Sequence, residues 1–155
     1  MKKISILSVT MSVLLLSSVN ILAHCQIPCG IYDDGTQLTI MFQDIETIEK
    51  SMNQINILSK AKEPNYNQLA RWVDNKETHA GKLSDSITYY FMEQRIKPVI
   101  DTNSPDYKKY IRELTLLHQI LFITMQTKQS IDTSLCVKLR ELLGEFKKAY
   151  MKSDE

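Results

Sequence analysis

The sequence predicts an all-α protein whose main part is an antiparallel four-helix bundle. Two observations lead to this prediction: four segments carry apolar residues spaced alternately by three and four, and no segment shows a convincing strand pattern. Each apolar stripe is too narrow to be stable alone, so we expect the four helices to bury one another. The connections between the segments are short, which favours antiparallel neighbours.

The first two helices are predicted on either side of a break at Glu63-Pro64-Asn65, and Lys97-Pro98 is expected to close the second one. The residues expected to face the core are Leu38, Met41, Ile45, Ile48, Met52 and Ile55 in the first helix, and Leu69, Trp72, Val73, Lys76, Ala80, Leu83, Ile87 and Tyr90 in the second.

The third helix has a strong start signal in Ser104-Pro105-Asp106, a hydroxyl N-cap followed by proline in the first helical position. Asp132-Thr133-Ser134 can cap the fourth helix, in which Gly144 costs about 1 kcal/mol relative to alanine. The residues expected to face the core are Tyr107, Tyr110, Ile111, Leu114, Leu117, Leu121 and Met125 in the third helix, and Leu135, Leu139, Leu142, Phe146 and Ala149 in the fourth.

Residues 1–23 have the pattern of a secretory signal peptide, because Lys2 and Lys3 precede an apolar run and Ala23 suits the last residue before a cleavage site. The run is marginal for a spanning helix, which needs about 20 apolar residues, so no stable membrane span is expected after cleavage. We therefore divide the chain into a cleaved signal at 1–23, a short N-terminal segment at 24–34 and the bundle at 35–155. The protein is expected to be exported, to the periplasm or the medium.

The charge of the chain excludes nucleic acid as its main partner. Of the 19 basic residues, Lys2 and Lys3 lie in the signal, so the exported chain has nearly equal numbers of basic residues and of the 18 acidic ones. Such a chain has no field that gathers a polyanion, and no basic arm is visible.

The three cysteines are an odd number for an oxidising compartment. Cys25 and Cys29 can form a small disulfide loop or can both bind a metal ion, and Cys136 is expected to be a small buried residue. Acylation of Cys25 is a weaker alternative, because His24 stands where a lipidation signal requires a small residue.

Cleavage of the signal would create a free α-amine on His24, next to its own imidazole and to the amide nitrogen and thiolate of Cys25. Pro28 and Gly30 allow the chain to turn back, so that Cys29 can bring a second thiolate to the same ion. Magnesium, calcium and manganese prefer oxygen ligands, whereas a square plane of nitrogen and sulfur suits Ni(II) or Cu(II).

The string H-C-x-x-P-C-G-x-Y at residues 24–32 resembles the N-terminal hook of nickel superoxide dismutases, a family of all-helical four-helix bundles. Looser similarity runs through residues 75–80 and 94–98. The resemblance implies an enzyme that converts superoxide to oxygen and hydrogen peroxide by Ni(II)/Ni(III) cycling. It also implies a small-molecule substrate, a nickel ion as cofactor and a homohexameric assembly.

The resemblance further implies a role for each hook residue. His24 would bind nickel through its amine and, in the oxidised state, its imidazole, while Cys25 would use its amide nitrogen and thiolate and Cys29 its thiolate. Tyr32 would order water and superoxide beside the open axial face. The Ile27–Pro28 bond would be cis.

The chain departs from the family pattern at three positions. Gln26 stands where other members have an acid, and Met41 falls where some have a glutamate that contacts the axial imidazole. His79 replaces an arginine, and its imidazole could bond to the axial ligand or be a polar residue at the edge of the core. Lys97 matches a family Lys-Pro pair and either contacts the hook or is solvated.

Two other functions stay open from the sequence alone. One is an exported helical binding module with a Cys25–Cys29 disulfide. The other is a nickel or copper carrier that uses the same hook without turnover.

Overall fold

The computed structural model describes residues 33–151, and this part of the chain is built from helices without strands. The helices are α1 (Asp34–Ser59), α2 (Tyr66–Asp85), α3 (Pro105–Gln129) and α4 (Ser134–Met151). A π-helical segment, Ser86–Met92, continues α2 directly. Helix α1 packs against α2 and α4, and α3 packs against the same two helices. The predicted helical bundle is therefore confirmed for this part of the chain. None of the described helices is long and apolar enough to cross a membrane.

The side-chain contacts of α1 show that α2 and α4 run in the opposite direction to it. Gln37 bonds to Ser86 and Ser51 bonds to Asn75, so positions further along α1 meet earlier positions of α2. On the other side, Glu49 forms a bidentate pair with Arg140 of α4. Tyr150 near the end of α4 bonds to Asp34 at the start of α1, so the last turn of α4 lies beside the first turn of α1.

Helices α2, α3 and α4 start where the sequence predicts them, whereas the second helical segment ends at Met92, before the predicted closure at Lys97-Pro98. Asp33 caps α1 by accepting a hydrogen bond from the Thr36 amide at 2.7 Å, and Asn65 caps α2 through the Gln68 amide at 3.1 Å. Ser104 caps α3 with Pro105 in its first turn, and the Asp132 carboxylate accepts from the Ser134 amide at the start of α4.

The core is formed by the predicted stripe of α1 and by parts of the predicted stripes of α2 and α4. All six residues predicted for α1 are buried, as are the C-terminal five of the α2 stripe, whereas Leu69 and Trp72 are half-buried and Val73 is 42% exposed. In α4, Leu139 and Phe146 are buried and Cys136 is fully enclosed as predicted. Leu135, Leu142 and Ala149 are only partly buried, and Leu143 is buried in place of Leu142. Edge-to-face contacts of Phe91 with Phe146 and with Tyr150 close the end of the core nearest the start of α1.

The predicted core face of α3 is wrong. Of the seven residues predicted, only Leu117 is buried, whereas Ile111 and Met125 are 39% and 41% exposed. The buried residues are Glu113, Leu116, Leu117, Ile120, Ile123, Thr124 and Thr127. Apolar residues cover two faces of this helix, and three polar residues on the buried face hid it from the apolar pattern. The two threonines can be buried because their hydroxyls donate to carbonyl oxygens of the same helix, those of Ile120 and Thr124.

Candidate functional site

The predicted nickel-binding residues lie outside the described part of the chain. These are His24, Cys25 and Cys29, together with the hook-shaping residues Pro28 and Gly30 and the predicted catalytic residue Tyr32. The first described residue, Asp33, follows Tyr32 directly and begins the capped turn of α1. The start of α1 is therefore the described region that lies nearest to these residues along the chain.

The carboxylate of Asp34, the first residue of α1, accepts hydrogen bonds from three side chains. Its Oδ1 atom accepts from the Tyr90 hydroxyl at 2.6 Å and from Arg95 Nε at 3.0 Å, and its Oδ2 atom accepts from the Tyr150 hydroxyl at 2.7 Å. Arg95 also donates to the Tyr90 oxygen at 3.2 Å, and its guanidinium lies 4.6 Å from the centre of the Tyr90 ring. We call these four residues the Asp34 cluster.

The Asp34 cluster favours the ionised carboxylate and the protonated phenols. Burial of Asp34 opposes ionisation, but the hydrogen bonds from Tyr90, Tyr150 and Arg95 and the charge of Arg95 outweigh it, so the pKa of Asp34 is lowered. Burial and the bond to Asp34 raise the pKa of both Tyr90 and Tyr150. At neutral pH the cluster is therefore a carboxylate held by two neutral hydroxyls and one cation.

The π segment places Tyr90 in this cluster. Its wider turn is visible in the backbone bonds from Glu93 to Thr88 and from Ile96 to Phe91, each spanning five residues. Tyr90 and Phe91 are consecutive, yet both are buried, Tyr90 toward Asp34 and Phe91 toward the aromatic side chains of α4. One turn of this segment therefore supplies both the hydrogen bond from Tyr90 to α1 and the Phe91 side chain that packs in the core.

His79, predicted to lie near the nickel site, forms a pair with Asp44 of α1. Its Nδ1 atom lies 2.7 Å from Asp44 Oδ1, and the two side chains are 22% and 5% exposed. The second carboxylate oxygen of Asp44 is buried and has no hydrogen-bond partner among residues 33–151. His79 is therefore the hydrogen-bond partner of a buried acid. Its predicted role near the metal ligands stays a prediction.

The other predicted positions around the metal have simpler surroundings. Met41 is fully buried in the core of the bundle. Lys97 is exposed in the segment that follows the π turn. Asp44 lies ten residues beyond Asp34, or about 15 Å along the helix axis. The structure therefore does not bring the Asp44–His79 pair together with the Asp34 cluster.

The apolar pattern of the sequence does not predict the Asp34 cluster. It places Tyr90 in the core stripe, and Arg95 falls only within the looser family similarity at residues 94–98. Asp34 and Tyr150 are 116 positions apart, so no local pattern could pair them. The available signal was the pair of acids, Asp33 and Asp34, directly after the hook string.

Within residues 33–151, no group of three or more histidine, cysteine or acidic side chains is placed to hold a metal ion. The cysteine in this range, Cys136, is free and fully buried, with its sulfur 3.8 Å from that of Met52. Burial raises the pKa of its thiol to about 11.

Comparison with known proteins identifies one family. The model of the family described as nickel-containing superoxide dismutase matches residues 19–154, which include the whole hook string. No curated protein and no solved structure matches the chain. The family match favours the enzyme over the binding module and the metal carrier.

Proposed function

The chain belongs to the nickel-containing superoxide dismutases, and we propose that its nickel ion is bound by His24, Cys25 and Cys29. The family establishes the enzyme class, the nickel cofactor and superoxide as the substrate. The observation that carries the residue assignment is the string H-C-x-x-P-C-G-x-Y at residues 24–32, inside the matched range.

The donor atoms of these residues fit nickel. The thiolates of Cys25 and Cys29, the terminal amine of His24 and the amide nitrogen of Cys25 would hold the ion, and such a set of nitrogen and sulfur donors suits Ni(II). When bound, nickel would supply the one-electron chemistry by alternating between Ni(II) and Ni(III). The anionic sulfur donors would lower the potential of the ion into a usable range. The imidazole of His24 would be a further nitrogen donor.

Tyr32 is proposed to act on the substrate side of the site. Its phenol can hold water or superoxide by a hydrogen bond and can carry a proton at its oxygen. Pro28 and Gly30 shape the turn that returns Cys29 toward Cys25. His79 and Lys97 are proposed as residues around the metal ligands, His79 through the imidazole that Asp44 holds.

The processing of the chain is part of this proposal. We propose that residues 1–23 are cleaved as a signal peptide, that residues 24–34 are the hook segment, whose last residue Asp34 is also the first residue of α1, and that residues 35–155 make up the antiparallel bundle. Export to the periplasm or the medium follows from such a signal. Without cleavage before His24, the α-amine needed for the nickel plane does not exist.

A homohexameric assembly is proposed from the family resemblance. The exposed apolar side chains on α3, including Ile111, Phe122 and Met125, support contact between copies of the chain. Light scattering after size-exclusion chromatography tests this, since a monomer at micromolar concentration would contradict it.

The decisive experiment combines four measurements on the exported protein: N-terminal sequence, intact mass, nickel content and dismutase activity. We expect a start at His24, about one nickel per chain, and loss of nickel and activity in Cys25→Ser. Cys136→Ala is the matched control, because this cysteine is buried in the bundle, and it should retain both. A different N-terminus, or a metal-free protein with a Cys25–Cys29 disulfide that nickel cannot activate after reduction, would contradict the proposal.

A further inference from the structure

The three donors to Asp34 come from separate parts of the chain. Tyr90 belongs to the π segment, Arg95 to the turn that follows it, and Tyr150 to the last turn of α4. Because both carboxylate oxygens accept hydrogen bonds, the first residue of α1 is tied to two other elements of the bundle at once.

These bonds are not needed to cap α1. The cap is supplied by Asp33, whose Oδ2 atom accepts from the backbone amide and from the hydroxyl of Thr36, at 2.7 and 2.9 Å. Asp34 therefore does something other than complete its own helix end. What it does is fix that end to the rest of the bundle.

The donors to Asp34 are themselves held in place. The ring of Phe91 lies edge-on to those of Tyr90 and Tyr150, with centroids 5.1 and 5.4 Å away. The Arg95 side chain is 18% exposed and is placed over the Tyr90 ring. A carboxylate held by packed partners has little freedom, which is the condition for positioning a neighbouring segment.

Covalent geometry links this cluster to the proposed nickel ligands. Cys29 precedes Asp34 by five residues, and a chain spans at most about 18 Å over five residues. The position of Asp34 therefore limits the region in which the second thiolate can lie. The Glu49–Arg140 pair, between the same helices α1 and α4, lies fifteen residues further along α1 and has no such link.

We propose that Asp34 is a positioning residue for the nickel site, anchored by Tyr90, Arg95 and Tyr150 so that the point at which the hook joins the bundle is fixed. This inference rests on the proposed function, because it needs nickel ligands in residues 24–29. Asp34 touches neither nickel nor superoxide in this role. It acts by reducing the number of directions from which Cys29 can approach Cys25.

The test is a nickel titration of the reduced, metal-free protein, prepared from the full chain after processing. Nickel binding is followed by the thiolate-to-nickel absorption, and the thermal midpoint is measured on the same samples. Asp34→Asn keeps the size of the side chain but removes the charged acceptor, so nickel affinity should fall on the order of tenfold. Tyr150→Phe, which removes one donor, should weaken binding less.

The matched control is Glu49→Gln, which removes a carboxylate from an α1–α4 ion pair and should leave nickel affinity unchanged. Wild-type affinity in Asp34→Asn would overturn the inference, and so would equal losses in Asp34→Asn and Glu49→Gln, since both would then act through stability. A wild-type protein that binds nickel no better than Cys25→Ser would overturn the proposed function and the inference with it.

Discussion

Asp34 and Asp44 are two carboxylates on one helix with very different surroundings. Asp34 accepts three hydrogen bonds, whereas Asp44 is buried, has His79 as its partner and keeps one oxygen without any partner. A buried polar group that loses its partner costs more than the bond itself contributes. The stability of α1 against α2 should therefore depend strongly on His79.

Replacement of His79 by leucine should lower the free energy of unfolding by about 1–3 kcal/mol, because it leaves Asp44 buried and unpaired. The double variant Asp44→Leu/His79→Leu removes both groups and should recover part of that loss. Urea denaturation of Asp44→Leu, His79→Leu and the double variant measures the coupling energy between the two side chains. Strictly additive losses would mean that the 2.7 Å contact contributes no coupling energy.

Cys136 should be the unreactive cysteine of the three. Its thiol is fully buried and its pKa is raised to about 11, so little thiolate is present at neutral pH. In the reduced, metal-free native protein, iodoacetamide should modify Cys25 and Cys29 while leaving Cys136 intact. Peptide mass mapping shows which sites are modified, and denatured protein is the control in which all three should react. Fast labelling of Cys136 in the native protein would contradict its burial.

At the scale of the helices, the sequence predicted where each element begins but not every buried face. Proline positions and cap residues act locally, so Asn65, Ser104 and Asp132 could be identified without knowledge of the fold. The buried face of α3 could not, because it contains Glu113 and two threonines whose burial depends on partners. The π segment could not be predicted either, because it differs from an α-helix in its backbone hydrogen bonds and not in its apolar pattern.

The side chain of Lys76 in α2 donates hydrogen bonds to backbone carbonyls at the end of α3. Its buried ammonium group donates to the carbonyl oxygens of Thr127 and Lys128 at the C-terminal end of α3, at 2.6 and 2.8 Å, and to Glu77 at 2.8 Å. Those carbonyls have no partner within their own helix. Lys76 is therefore buried at its predicted core position, both because its ammonium group has hydrogen-bond partners there and because its stem is apolar.

Lys76→Met keeps the apolar stem and removes the three bonds, so it should destabilise the protein by about 2–4 kcal/mol. The thermal midpoint should fall, and hydrogen exchange should be fastest at the end of α3. Lys82→Met, at an exposed site on the same helix, is the control and should be close to neutral. If both variants melt alike, the contacts with α3 contribute nothing measurable.

At Gly144 a substitution should stabilise the protein, because a Cβ atom added at this position has no neighbour within 4 Å. Gly144→Ala should raise the free energy of unfolding by about 0.5–1 kcal/mol through helix propensity alone. Gly81, inside α2 and also without a neighbour, should respond in the same way. Thermal denaturation of both variants gives the comparison, and a lower midpoint in Gly144→Ala would indicate that copies of the chain pack against that helix.

For the whole molecule, the family and the side-chain contacts of the bundle were predictable to different degrees. The hook string is contiguous, so the family and its nickel cofactor could be predicted from nine neighbouring positions. The residues of the Asp34 cluster are distant in sequence: Asp34 meets Tyr90 and Tyr150 only because α1 lies between α2 and α4. Folding alone brings such residues together, and a pattern of spacing cannot predict it.

Acid should destabilise the metal-free bundle through Asp34 and Glu49. Hydrogen bonds hold the pKa of both carboxyls below their ordinary values of 3.8 and 4.5. A lowered pKa in the folded state gives stability that is present above the ordinary value and is lost as the pH falls through the folded one. The thermal midpoint should therefore drop below about pH 4.5, and Asp34→Asn should drop less steeply than wild type. Parallel curves for the two proteins would contradict this.

The neighbouring positions of Asp34 and Tyr150 also mean that the bundle begins and ends at one place. A short peptide could therefore join residue 151 to residue 33, and new termini could be opened in the turn between Ser59 and Tyr66. Such a circular permutant would keep every helix and its packing. The joining peptide would take the place of the proposed hook, and the permutant would therefore be the same bundle without the nickel ligands and their terminal amine.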